Sequence, residues 1–170
     1  ALGLLYLEAE QPLEAIESFE KAIELDPNNS EAYHNLGTIL LLVEELDNAA
    51  ICFKKVTKIE PDLSIGWTSL GQVFFQQGNI EQAKEALQQA LDLEPDLPEA
   101  CYTMAEIQFS LGEFEKALTL CQTVLASEPS HLAAHTLQGT IAFHAGKWDQ
   151  AILSYQKAHE LVPYELDVIC

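Results

Sequence analysis

The sequence predicts an all-α solenoid of antiparallel helix pairs, one pair every 34 residues. Two observations predict it. Pro27, Pro61, Pro95, Pro129 and Pro163 follow one another at intervals of 34 residues, and only Pro12 and Pro98 fall outside the series. Small residues recur in the same register, as Gly3, Gly37, Gly71, Ala105 and Gly139, then as Ala15, Ala49, Ala83, Ala117 and Ala151. Self-similarity at such a period marks stacked repeats, each too small to bury its apolar face alone. A small residue on each of two helices lets their backbones approach closely. Four positions after each alanine stand Phe19, Phe53, Leu87, Cys121 and Tyr155. Three further on stand Ala22, Val56, Ala90, Val124 and Ala158. These are expected to fill the gap that widens on either side of the crossing.

Taken in order, the chain reads as one domain over 1–170. Residues 1–29 form a partial first repeat, with the remainder of a first helix at 1–9 and a second helix at 13–26. Leu13, Ile16, Phe19 and Ile23 lie on one helical face of the latter. Pro12 suits a helix start, where its missing N–H would have had no partner. Residues 30–63 form the second repeat, and Asn28, Asn29 and Ser30 supply N-cap chemistry to a first helix at about 30–43. Its turn is Glu44-Glu45-Leu46, whereas later repeats carry Gly78, Gly112 and Gly146 there. That place favours a left-handed residue, which glycine adopts freely. Glu44 must adopt it at a cost or end the helix differently. Residues 64–97, 98–131 and 132–165 form the third to fifth repeats, and 166–170 begin another. The chain is therefore expected to be a piece of a longer array, with apolar surface open at both ends.

The third repeat holds Trp67, Leu70, Gly71, Phe74, Ala83, Leu87, Ala90 and Pro95. It resembles the tetratricopeptide repeat pattern W-x2-L-G-x2-Y, A-x3-F, A and P, with Phe74 for the tyrosine and Leu87 for the phenylalanine. The resemblance covers essentially the whole chain. It departs most in the fourth repeat, where Cys101, Met104, Ala105 and Gln108 fill the first four places. In the fifth repeat His135, Gln138, Gly139 and Ala142 fill them. Looser packing is expected there, with the fold kept. The resemblance implies a right-handed superhelical solenoid and a role in protein–protein interaction. Truncating the core aromatic Trp67 to Ala is expected to cost roughly 3–5 kcal/mol.

In that family the first helices line a concave groove, where partners lie as extended or helical peptides. Carried over by position, the groove residues are His34, Asn35, Thr38, Thr68, Gln72, Phe75, Tyr102, Glu106, Phe109, Thr136, Thr140 and Phe143. Phe75, Phe109 and Phe143 recur every 34 residues. They either pack between neighbouring repeats or form an apolar stripe open to a partner. No Lys stands on a first helix and the chain has no Arg; the eight lysines fall on second helices or, for Lys147, in a turn. Chaperone-binding members of the family grip a C-terminal carboxylate with cations in these places, so that subclass is excluded. The repeated asparagine of the glycosyltransferase-type array is also missing, with only Asn35 in its place. The expected partner is a protein or peptide, neutral to basic and partly apolar.

The net charge is −19, from 8 Lys and 27 Asp and Glu. Such acidity argues against nucleic acid or an anionic membrane as partner. No apolar run approaches a membrane span. Cys52, Cys101, Cys121 and Cys170 are expected to be buried thiols, suited to a reducing compartment such as the cytoplasm. Cys101 and Cys121 are expected to face each other, on the premise that Trp67 faces Leu87. His131 and His135 have a metal-like spacing, but one lies in a turn and the other in the aromatic column, so neither a metal nor another cofactor is expected. No phosphate loop, nucleophile motif or CxxC is present, and the chain is not expected to be an enzyme. Two alternatives remain open: a targeting arm of an enzyme whose catalytic domain lies outside 1–170, or self-association through uncapped ends.

Overall fold

The computed structural model describes residues 12–161. The expectations for 1–11 and 162–170, Gly3, Pro163 and Cys170 among them, lie outside the described residues. All regular structure among the described residues is helical. The helices are α1 (Pro12–Leu25), α2 (Ser30–Leu42), α3 (Leu46–Ile59), α4 (Ser64–Gln76), α5 (Ile80–Leu93), α6 (Pro98–Ser110), α7 (Phe114–Ser127), α8 (Leu132–His144) and α9 (Trp148–Glu160). They divide between Pro95 and Asp96 into two compact units, α1–α5 and α6–α9. Within each unit every helix packs on the next, and α2 also touches α4, as α6 touches α8. The first helices of neighbouring pairs thus lie side by side.

Close crossing within each pair rests on the absence of a side chain. A Cβ on Gly71 would lie 2.6 Å from Leu87 Cγ and 3.3 Å from the Ala83 carbonyl oxygen. On Gly37 it would lie 2.9 Å from Phe53 Cε1, and on Gly139 2.8 Å from Tyr155 Cδ1. The large residue therefore sits over the glycine itself. Gly71, not Trp67, faces Leu87, one helical turn from the expected register. In the fourth repeat both partners change together: Ala105 replaces the glycine, and the small Cys121 shares its buried cluster. The alignment of Cys101 with Cys121 is corrected accordingly.

Two small or apolar columns not singled out from the sequence are also buried. One is Ala32, Gly66, Ala100 and Ala134; a Cβ on Gly66 would lie 2.8 Å from Val56 Cγ1, which brings α4 close to α3. The other is Ile39, Val73, Ile107 and Ile141. Ile39 joins Phe19 and Cys52 in the core of the first unit, with Ile16 and Ile23 packed against it. Leu13, expected on that face, is exposed.

The four turns inside the pairs share one hydrogen-bond pattern. The Asn79 N–H donates to Phe74 O at 2.8 Å, Glu113 N–H to Gln108 O at 2.8 Å, and Lys147 N–H to Ala142 O at 2.9 Å. The Glu45 N–H donates to Leu40 O at 2.8 Å in the turn that lacks glycine. Glu44 meets the same demand, with φ 62° against 76°, 76° and 69° at Gly78, Gly112 and Gly146. A left-handed non-glycine residue costs about 1–2 kcal/mol, partly offset by the greater unfolded-state entropy of glycine. Glu44→Gly is therefore expected to raise stability by about 0.5–1 kcal/mol, read from the urea midpoint.

Between pairs, side chains close the turns. The Trp67 Nε1–H donates to Pro61 O at 2.8 Å, and His135 Nε2 makes the same contact with Pro129 O at 2.9 Å. A carbonyl can only accept, so His135 Nε2 carries the hydrogen. Trp67 is only partly buried; among the described residues of the first unit the fully buried aromatic is Phe53. Asn29 caps α2, its side chain accepting from Ala32 N–H at 2.8 Å, as the Asn-Asn-Ser sequence leads one to expect.

Candidate functional site

The first unit presents His34, Asn35 and Thr38 on α2 and Gln72 and Phe75 on α4, all partly exposed. Thr68 is fully buried, with its hydroxyl donating to Ser64 O at 3.0 Å, so it offers no face to a partner. The His34 ring stands edge-on to Phe53 at 5.6 Å, and its Nε2 lies 3.4 Å from Ser69 Oγ. Burial holds the His34 pKa below the usual imidazole range.

The second unit presents Tyr102, Glu106 and Phe109 on α6, and Thr136, Thr140 and Phe143 on α8. Thr136 and Phe143 are exposed and the others partly so. The Tyr102 hydroxyl donates to Glu106 Oε1 at 3.2 Å, and its ring lies 5.1 Å from that of His131. Phe109 packs between pairs, 5.6 Å from both Phe114 and His144. Phe143 meets Trp148 edge-on at 5.1 Å and stays open. In the phenylalanine column Phe109 is thus packed between pairs, Phe75 is partly exposed and Phe143 is exposed.

The threonines share a habit that the sequence does not announce. Thr38 donates to His34 O, Thr136 to Leu132 O, and Thr140 to Thr136 O. Each spends its hydrogen on the helix; Thr38 and Thr136 keep oxygen lone pairs outward, while Thr140 Oγ1 accepts from the Tyr155 hydroxyl at 3.0 Å. With Glu106 and without a lysine, the first-helix faces are rich in hydrogen-bond acceptors.

A family model described as the cytochrome c-type biogenesis protein H TPR domain matches residues 43–167. The chain belongs to the tetratricopeptide repeat (TPR) family. Two further TPR models match residues 1–29 and 18–50. No curated protein matches the chain. Solved structures share the fold. The crystal structure of MamA superposes with a TM-score of 0.80 at 24% identity, over 95% of this chain and 94% of that one. YrrB, described as a TPR protein with an unusual peptide-binding site, gives 0.71 at 22% identity over 96% and 84%. Pseudomonas aeruginosa PilF gives 0.82 at 22% over 97% and 75%. At these identities the likeness shows the TPR fold.

Electrostatically, the centre of the TPR second unit is Glu106. Burial raises its carboxyl pKa, partly opposed by the Tyr102 hydrogen bond. Lys84 pairs with Glu81 and Lys116 with Glu113, both within second-helix surfaces or turns and away from Glu106. The same burial pushes the Cys121 thiol up to about 12, helped by the Glu106 charge, and Cys52 up to about 11, helped by Glu20. Burial also raises Cys101, with Asp96 adding to it. These three thiols are buried, and protonated thiols of this kind are poor nucleophiles. Among the described residues no three His, Cys, Asp or Glu side chains gather as metal ligands, and no helix is long and apolar enough to cross a membrane.

Because the folded pKa of Glu106 lies above its unfolded value, its protonated form favours folding. That contribution is fully present below the unfolded pKa and is lost as pH rises through the folded one. Glu106→Gln, neutral throughout, is therefore expected to match the parent in acid and exceed it at neutral pH. Urea midpoints of both proteins across pH 3–8, about the carboxylate range and above it, read the difference.

Proposed function

We propose that this TPR chain is a protein–protein interaction scaffold whose first helices take a peptide segment of a partner. The partner segment is neutral to basic and partly apolar. The observation that carries this reading is the cation-free first-helix face of the second unit, where the Thr136 hydroxyl turns back on its helix and a half-buried Glu106 is bonded to Tyr102. A backbone N–H, a lysine or an arginine complements such a face, whereas an acidic peptide meets like charge. Phe143, exposed beside Trp148, supplies the apolar part. The peptide-binding site named for YrrB supports this mode by analogy of fold alone. The repeat division at 30–63, 64–97, 98–131 and 132–165 belongs to the same reading, as do a non-enzymatic role and a cytoplasmic setting.

Fluorescence anisotropy with labelled peptides sorted by charge tests it. Basic peptides carrying an aromatic or aliphatic residue are expected to bind best. Glu106→Lys should weaken them about tenfold or more, the effect of losing one favourable contact of about 1.4 kcal/mol. Acidic peptides binding best, or basic ones indifferent to Glu106→Lys, would remove the reading.

A further inference from the structure

A slot opens in the second unit on the side of α8 turned away from Thr136, Thr140 and Phe143. α7 and α9 each pack on α8, and among the described residues their backbones do not meet. Ile141, Ala142 and Ala145 of α8 floor the slot, and Leu118 of α7 and Leu153 of α9 wall it. This part measures about 300 Å³, at the lower end of small-molecule sites. Its floor departs from the third repeat in bulk and in polarity. Ala142 stands where Phe74 lies buried in the equivalent groove of the first unit, so a ring's volume is missing. Gln138 and Ser154 stand where Leu70 and Ala86 are buried. Ser154 is itself buried and donates to Gln138 Oε1 at 3.1 Å.

Lys147 and Lys157 line this part of the slot, and among the described residues no Asp or Glu does. In a chain with 8 Lys and 27 Asp and Glu, that reverses the prevailing charge. The equivalent groove of the first unit carries Glu44, Glu45 and Asp47, and its Lys54 lies over the Phe74 ring. Lys157, Gln122 and Gln138 also line a second part of the slot, about 520 Å³, which reaches His135 and Glu160. His135 is 7% exposed. Its Nε2–H donates to Pro129 O, and its Nδ1 has no hydrogen-bond partner among the described residues. In that tautomer Nδ1 only accepts, and a buried acceptor left unpaired is costly. A fitting ligand therefore has an aliphatic body, a negative head for Lys157 and a hydrogen-bond donor beside that head. Glu160 disfavours a second negative group at the far end. We propose that the slot binds an aliphatic 2-hydroxy carboxylate. Lys157 and the Gln122 amide hold the carboxylate, His135 Nδ1 accepts from the hydroxyl, and the chain lies over Ile141 and Ala142. The site involves neither Glu106 nor any residue of the peptide-binding face, so it does not rest on that reading.

Isothermal titration calorimetry of the purified chain tests it, with 2-hydroxyoctanoate, octanoate, 1-octanol and octylammonium as probes. 2-Hydroxyoctanoate is expected to bind one per chain, octanoate several-fold more weakly for want of one hydrogen bond, and the other two not measurably. Lys157→Gln, at an exposed site, should weaken both acids about tenfold, the effect of losing one contact of about 1.4 kcal/mol. Lys116→Gln, on α7 outside the slot, should leave them unchanged. Ala142→Phe restores the residue of the third repeat and should abolish binding, with helix content kept in circular dichroism. His135→Trp copies Trp67, which keeps an N–H on its proline carbonyl, and should erase the preference for the hydroxyl. The proposal is overturned if neither acid binds, or if octanol or octylammonium binds as tightly as octanoate. It is equally overturned if binding survives Ala142→Phe, ignores Lys157→Gln, or shows no preference for the hydroxyl in the parent chain.

Discussion

Phe53→Ala is expected to lower the stability of the chain by about 3–5 kcal/mol. Among the described residues Phe53 is the largest fully buried side chain, and it fills the space that Gly37 leaves open. The opposing helix has no Cβ there to move inward, so the cavity would persist and the full cost would be felt. His34 would also lose the ring it stands against, 5.6 Å away. Repeats couple chiefly to their neighbours, so the loss should fall first on α2, α3 and α4. Urea unfolding followed by circular dichroism reads the total. Native-state hydrogen exchange reads the distribution. Exposed Phe143→Ala is the control, expected to change stability by about 0.5 kcal/mol or less. A loss at Phe53 no larger than the control's would contradict the packing described.

Gly71→Ala is expected to cost about 1–3 kcal/mol despite the better helix propensity of alanine. The added methyl would meet Leu87 at its branch point, and the Ala83 carbonyl would limit any shift. Ala105 tolerates the same methyl because Cys121 is small. The pair can therefore be transplanted: Gly71→Ala with Leu87→Cys reproduces the fourth repeat in the third. The double variant should be more stable than the sum of the two single losses implies, with a coupling of about 0.5–3 kcal/mol for residues in contact. Additive losses would mean that the glycine and the large residue do not compensate each other.

The fold was legible because its punctuation recurs. Proline, glycine and alanine at a fixed interval give the helix pairs and their turns, since backbone geometry leaves few other residues suited to those places. The left-handed turn at Glu44 was legible as a demand of the position, although the residue there resists it. Register was less legible. Gly71 and Leu87 lie one turn from the expected alignment because small residues admit a large neighbour directly over them, and spacing alone does not reveal which one. The small column of Ala32, Gly66, Ala100 and Ala134 was visible in the sequence as alanines in helices, which are too common to stand out. The equivalence of Trp67 and His135 is chemical: two dissimilar rings each place a nitrogen on a proline carbonyl.

The candidate site was legible by position and less so by environment. Place in the repeat puts Tyr102, Glu106 and Phe143 on first helices, but Thr68 sits one position from Trp67 and is buried where its equivalents are not. The lack of lysine on the first helices was plain from the sequence. The inward bonding of the threonine hydroxyls was not, because hydroxyl direction depends on the helix each residue joins. His144 meets both Phe109 and Phe143 edge-on, at 5.6 Å and 5.9 Å, contacts that spacing along the sequence does not announce.

The most direct measurement is amide hydrogen exchange of the chain with and without a saturating basic, partly apolar peptide. Slowed exchange concentrated in α2, α4, α6 and α8 is the expected result, with the change around Glu106 lost in Glu106→Lys. Protection confined to α3, α5, α7 and α9, or no protection at saturation, would contradict a binding site on the first helices.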